Sequence, residues 1–160
     1  MRRDAESIRT ALKADLLSPE FRESLRQVYA EHGDEASVEY PQEVYRSIKW
    51  APQIFPCGEI DCGPGRNMDP NNQFVDVSYE VTVFWNVTGS DEERLEDAVN
   101  RIVGATRDYY SQKIGLEPYL MGATVSVGDE DYSPFNRVKR GDDAPLIKSG
   151  ALTLFVRIQR

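Results

Sequence analysis

The stretch that decides the fold is Val75-Asp76-Val77-Ser78-Tyr79-Glu80-Val81-Thr82-Val83-Phe84-Trp85-Asn86-Val87-Thr88. Val75, Val77, Tyr79, Val81, Val83, Trp85 and Val87 fall on one face. Asp76, Ser78, Glu80, Thr82, Phe84, Asn86 and Thr88 fall on the other. A strict period of two predicts a long β-strand with one buried face. At about 3.3 Å per residue it spans roughly 40–45 Å. That is more than a small domain needs, and the surplus is free to pair with a neighbouring subunit.

Gly89 breaks the strand. Ser90 with Glu93 has the form of a capping box, and Asp91 and Glu92 suit the positive end of a helix. Leu95, Ala98, Val99, Ile102, Thr106 and Tyr109 then share a helical face, opposite Glu96, Asp97, Arg101, Arg107 and Asp108. The helix is expected to run to about Lys113 and to stop at Gly115 or Pro118. A strand follows at Gly122–Val127, ended by Asp129-Glu130-Asp131. Residues 132–150 read as a polar loop containing Pro134, Gly141, Pro145 and Gly150. Leu152, Leu154, Val156 and Ile158 alternate with Thr153, Phe155, Arg157 and Gln159, giving a last strand over 151–159.

Before the long strand, residues 56–73 carry turn signals throughout and read as a loop or hairpin tip. A short extended piece is expected at Gln53-Ile54-Phe55, between Pro52 and Pro56. Residues 34–50 read as a short helix or irregular arm, on the spacing of Tyr40, Val44, Tyr45 and Ile48. At the amino end, Ile8, Leu12 and Leu16 form a helical stripe over 4–17. Ser18-Pro19 is a stop and restart, with Ser18 as N-cap and Pro19 at the first helical position. Phe21, Leu25, Val28 and Tyr29 continue the second helical face up to His32-Gly33-Asp34. The expected fold is α+β: one domain over 1–160, with a mixed, mostly antiparallel four-stranded sheet and helices packed on one face. Phe84 and Phe155 are left for the other face, as a solvated surface or a subunit contact.

The chain has 160 residues, with 19 basic against 27 acidic side chains and a net charge of −8. That balance argues against a nucleic-acid binder with a broad basic face. No apolar run is long enough for a membrane span, and MRRDAESIR has no apolar region of a secretory leader behind its arginines. Cys57 and Cys62 are too few for a disulfide framework. With the single histidine, His32, they offer no zinc set. Asn86-Val87-Thr88 fits a glycosylation acceptor, which without a leader reads as chance. Trp85 belongs to the core by its alternation, while Trp50 is open to either a core or a surface role.

Chemistry-bearing patterns are sparse. Glu59 with Asp61, and Asp129-Glu130-Asp131, are the candidate carboxylate groups. Neither shows the buried setting that acid/base work needs, and the acidic run lacks the spacing of a calcium loop. There is no nucleophile elbow, no phosphate-binding loop and no dinucleotide fingerprint. No catalytic residue, cofactor or metal is expected. The segment YSPFNRVKRGDDAPLIKSG stands out instead. Arg137, Lys139, Arg140 and Lys148 are basic in an acidic chain, and Tyr132, Phe135, Val138, Leu146 and Ile147 are apolar anchors. Such an arm suits a complementary acidic surface, including one on an identical neighbour. Tyr132, Phe135, Arg137, Lys139, Arg140, Leu146 and Lys148 are therefore the expected assembly contacts.

The order of an amino-terminal helix region, PQIFPCGEI, the strand FVDVSYEVTVFWNV, the capped helix SDEERLEDAVNRIVGATRDYY and a closing LTLFVRIQR resembles the tail-terminator proteins of long-tailed bacteriophages. The resemblance covers residues 5–160 in element order, size and texture. It implies a virion protein forming hexameric rings at the head-proximal end of the tail tube. Its implied partners are identical copies, tube subunits and head connector proteins. DNA would pass through without specific binding, and assembly would take place in the host cytoplasm. It also implies contacts through 132–150 and the hairpin around 61–72. CGEIDC and the length of 34–50 depart from that pattern. Neck or head–tail connector proteins share the size and texture, and a non-viral dimeric binding module is a further alternative.

Overall fold

The computed structural model describes residues 4–49, 54–68, 71, 76–136 and 146–159, with 129–136 described by backbone alone. Helix α1 (Ala5–Leu16) starts at Asp4, whose carboxylate accepts the Ser7 amide at 3.2 Å. Helix α2 (Pro19–Glu31) starts at the expected Ser18 cap, whose hydroxyl accepts the Phe21 amide and donates to the Asp15 carbonyl. Gly33, at φ 69°, supplies the left-handed turn that follows.

Over 34–49 the chain is the irregular arm of the two alternatives, with no α-helix. A single 3-10 turn at Glu35–Ser37 precedes a three-residue strand, β1 (Glu43–Tyr45), in which Val44 is buried. The helical spacing there is incidental. Parallel pairing with β2 (Cys57–Cys62) fixes the conformation. β2 and the short β3 (Arg66–Asn67) are themselves a correction to the loop expected over 56–73. Cys57, Gly58, Glu59 and Ile60 are all buried, because both faces of β2 are covered there, and so no alternation advertises the strand. Of the extended piece, Ile54 and Phe55 are not in a strand. Gln53 lies outside the described residues, as does Trp50.

The long strand is β4 (Val77–Gly89). Val77, Val81, Val83, Trp85 and Val87 are buried as the alternation requires; Val75 lies outside the described residues. Its surplus length does not project. β7 (Leu146–Ile158) pairs with it from Val77↔Ile158 to Gly89↔Leu146. β6 (Leu120–Asn136) then runs antiparallel to β7, so strand replaces most of the loop expected at 132–150. Asp129-Glu130-Asp131 does not end this strand. The pairing slips between Val127 and Glu130, and again between Asp131 and Phe135. These bulges break the period of two in sequence. The second contains Pro134, which a regular ladder would exclude for want of an N–H.

Helix α3 (Glu92–Lys113) is capped by Asp91, which accepts the Arg94 amide at 3.3 Å. The expected Ser90 cap is displaced by one residue, because Asp is as good a cap and lies nearer the first turn. α3 ends on Ile114 in the left-handed region, and β5 (Gly115–Leu116) pairs with β6. Among the described residues the fold is α+β, with three α-helices against a curled mixed sheet. Its order is β1-β2-β4-β7-β6-β5, with β3 beside β4. The expected four strands undercount it, since β1, β3 and β5 carry too few residues for a periodic signal and β2 is buried on both faces over Cys57–Ile60.

One core joins helices and sheet. Trp85 is fully buried, stacks on Phe21 at 5.7 Å between ring centroids, and donates its indole N–H to Thr106 Oγ1 at 2.9 Å. Gly150 lets α3 close on β7, since a Cβ there would lie 2.4 Å from Val99. Among the described residues no helix is long and apolar enough to cross a membrane.

Candidate functional site

Strand alternation turns every second residue of β2, β4 and β7 away from the helices. Two zones result on this outer face. In one, Cys57, Glu59, Asn86 and Ser149 are buried. Glu59 Oε1 accepts from Asn86 Nδ2 at 2.6 Å, and Oε2 accepts the Lys49 backbone N–H at 2.7 Å. Ser149 Oγ donates to Asn86 Oδ1 at 2.6 Å. Glu59 is thus fully buried, contrary to the solvated setting read from the sequence, while Asp61 is exposed. The carboxylate joins β2 to β4 and to the chain after β1, and Asn86 carries the network on to Ser149 of β7. Asn86 is buried within this network, so the folded chain does not present it as a glycosylation acceptor.

The other zone is open. A groove of about 530 Å³ is lined by β3 and the chain on either side of it, by Ser78, Glu80 and Thr82 of β4, and by Asp61 at the end of β2. Phe155 forms part of it and stays 40% exposed, and Met68, which also lines it, is 53% exposed. The Phe155 ring lies across Gly128 of β6, where a Cβ would come within 2.5 Å of it. Asp61 and Glu80 line the groove with Arg66. Neither carboxylate is in an ion pair among the described residues, whereas nearby Asp76 is held by Arg157 at 2.6 Å. The groove combines an apolar patch with acidic edges, a composition suited to a basic, partly apolar segment.

The expected contact residues do not form one loop. Tyr132 and Phe135 lie on β6, whose side chains are not described at those positions. Arg137, Lys139 and Arg140 lie outside the described residues. Leu146 is half-buried against the core. Lys148 is buried in β7, and its ammonium meets Glu92 at 2.9 Å and Glu96 at 3.2 Å on α3. The Glu92 hydrogen bond holds its pKa above the ordinary lysine value. Its charge is engaged within the protomer.

Cys57 and Cys62 are free thiols on opposite faces of β2, so the bridge left open by the sequence is not formed. Burial raises the Cys62 pKa. His32 is exposed at the end of α2. A buried polar node has no counterpart among the sequence-based expectations. Asp15 accepts from the Tyr109 and Tyr110 phenols and from Lys113. A signal for it exists, because Asp15 stands seven residues after Ile8 on the apolar stripe of α1. Compared with family models and with curated proteins, the chain matches none.

Proposed function

We propose that this chain is a virion assembly protein of the tail-terminator kind. Identical copies close into a ring at the head-proximal end of a tail tube, end tube growth and join the tail to the head connector. The observation that carries this reading is the uncovered sheet face around Phe155 and Met68, in a chain whose other sheet face is sealed by helices. Exposed apolar groups rimmed by charge are the usual mark of a protein contact surface. The net charge of −8 suits a lumen that repels DNA phosphate and lets it slide.

Tube subunits polymerised with and without the chain test the reading. Electron micrographs should show tubes of limited length with a ring at one end. Six copies of 18.2 kDa, about 109 kDa, are expected in that ring. Unlimited tubes with no bound ring overturn it. A ring that binds the head connector and leaves tube length unchanged favours a neck protein instead.

A further inference from the structure

Resting on the reading of the outer face as a contact surface, we infer that the groove beside Phe155 receives an arginine side chain presented by a basic partner protein. Asp61 of β2 pairs with Thr82 of β4, and Glu80 stands two residues before Thr82 on the same face. The two carboxylates are therefore diagonal neighbours, with backbones about 7–8 Å apart. Glu80 also lies directly opposite Phe155 in the β4–β7 ladder. Both carboxylates are exposed in the groove, and neither is hydrogen-bonded or ion-paired among the described residues. Arg66 stands opposite Ser78, further along the groove, and is paired with neither of them. The Phe155 ring lies across Gly128 and keeps 40% of its surface open.

An open aromatic ring beside two unneutralised carboxylates selects a cation that is flat as well as charged. A guanidinium stacks on a ring, and its planar fork of donors can serve two carboxylates at once. An ammonium is a compact point charge with no flat side. Phosphate is repelled by the same pair of acids. Met68 adds an apolar contact for the residue beside the arginine. The donor is a different protein and not a second copy. Arg26, Arg94, Arg101, Arg107 and Arg157 are each ion-paired with a carboxylate of their own protomer. Two chains of charge −8 also repel, whereas a basic partner is drawn to the same field.

Titration of the full chain tests this by nuclear magnetic resonance at low salt. The probe is a short capped peptide with one arginine between two leucines, compared with the same peptide carrying lysine or neutral citrulline. The Met68 methyl and Phe155 ring signals should move with the arginine peptide, move less with lysine and stay in place with citrulline. Glu80→Gln and Asp61→Asn should each weaken the arginine peptide by about fivefold, equivalent to about 1 kcal/mol. They lie on different strands, so one stays informative should the other alter the melting curve. Unmoved Met68 and Phe155 signals, equal binding of the lysine or citrulline peptide, or binding undiminished in both variants each overturn the inference. Self-association without peptide that Glu80→Gln abolishes puts a second copy in the groove and overturns it too. Tube-length control reads the proposed function separately. Limited tubes without peptide binding remove the arginine contact and leave the terminator reading standing. Bound peptide with unlimited tubes keeps the contact and removes that reading.

Discussion

The Tyr110 phenol donates to Asp15 Oδ2 at 2.8 Å, joining residues 95 positions apart in the chain. Asp15 Oδ1 accepts from Tyr109 at 2.6 Å and from Lys113 at 2.7 Å. Donors from the end of α3 thus converge on one fully buried carboxylate at the end of α1. Removing one partner of such a node costs far more than the node's net contribution, because the others stay buried. Asp15→Ala should therefore lose about 3–5 kcal/mol in urea unfolding. A loss below about 1 kcal/mol would mean that water replaces the carboxylate without penalty.

The same node sets the alkaline limit. Burial first, and Asp15 second, raise both phenols above the ordinary tyrosine value. In the unfolded chain they ionise near 10. As pH rises past that value the unfolded chain sheds these protons and the folded chain retains them. Their contribution is complete below about pH 10 and declines above it, by up to about 1.4 kcal/mol per pH unit for each group, until the folded values are reached. Tyrosinate absorbance checks this. Tyr109 and Tyr110, two of the eight tyrosines, should ionise only as far-UV ellipticity is lost, and burial delays the ionisation of Tyr29 as well. Tyr109→Phe with Tyr110→Phe should flatten the alkaline slope, and ionisation of all eight in the folded chain would contradict it.

What the sequence made legible follows from how many residues repeat a signal. β4 announces itself because its period of two persists to Val87, and the α1–α2 break because Ser18 and Pro19 each have a local mechanism. β2 stays hidden because Glu59 is buried by partners distant in the chain, Asn86 and the Lys49 amide, which no local pattern encodes. β6 stays hidden because its bulges reset the alternation and admit Pro134. The outer groove was foreshadowed only by Phe155, the one large apolar residue on the polar side of the last strand. Its acidic wall depends on Asp61 and Glu80, which pairing of β2 with β4 brings together.

Two glycines should respond oppositely to alanine. Gly104 lies inside α3, and a Cβ added there would meet nothing within 4 Å, so Gly104→Ala removes a helix penalty without a clash. A gain of about 0.5–1 kcal/mol is expected. At Gly150 the added methyl would meet Val99 at 2.4 Å and Val103 at 3.2 Å, and α3 must move away. Gly150→Ala should cost about 1–3 kcal/mol. Thermal melts of the two variants decide both, and equal shifts would break the assigned α3–β7 packing.

Ile114 adopts φ 51° although it is β-branched, and its side chain is 63% exposed. Left-handed backbone costs an L-residue about 1–2 kcal/mol, and little burial offsets it here. Ile114→Gly should raise stability by about 1 kcal/mol while leaving α3 intact by circular dichroism. A destabilised variant would show that Ile114 holds the turn through contacts that outweigh its backbone.

Glu59 tests whether the buried zone of the outer face is a structural clamp. Its carboxylate only accepts, and it takes N–H groups from Asn86 and Lys49. Glu59→Ala withdraws an acceptor from two donors and should cost about 3 kcal/mol. Glu59→Gln is a gentler change. Its amide oxygen can still accept the Lys49 N–H, and its NH₂ can donate to Asn86 if that amide rotates by half a turn. Asn86 would then offer its own NH₂ to Ser149, whose hydroxyl can accept as readily as donate. The glutamine variant should therefore lose about 1 kcal/mol and keep the Lys49 amide protected from hydrogen exchange, while the alanine variant loses that protection. Equal exchange at Lys49 in both variants would mean that the carboxylate does not clamp the chain after β1 to the sheet.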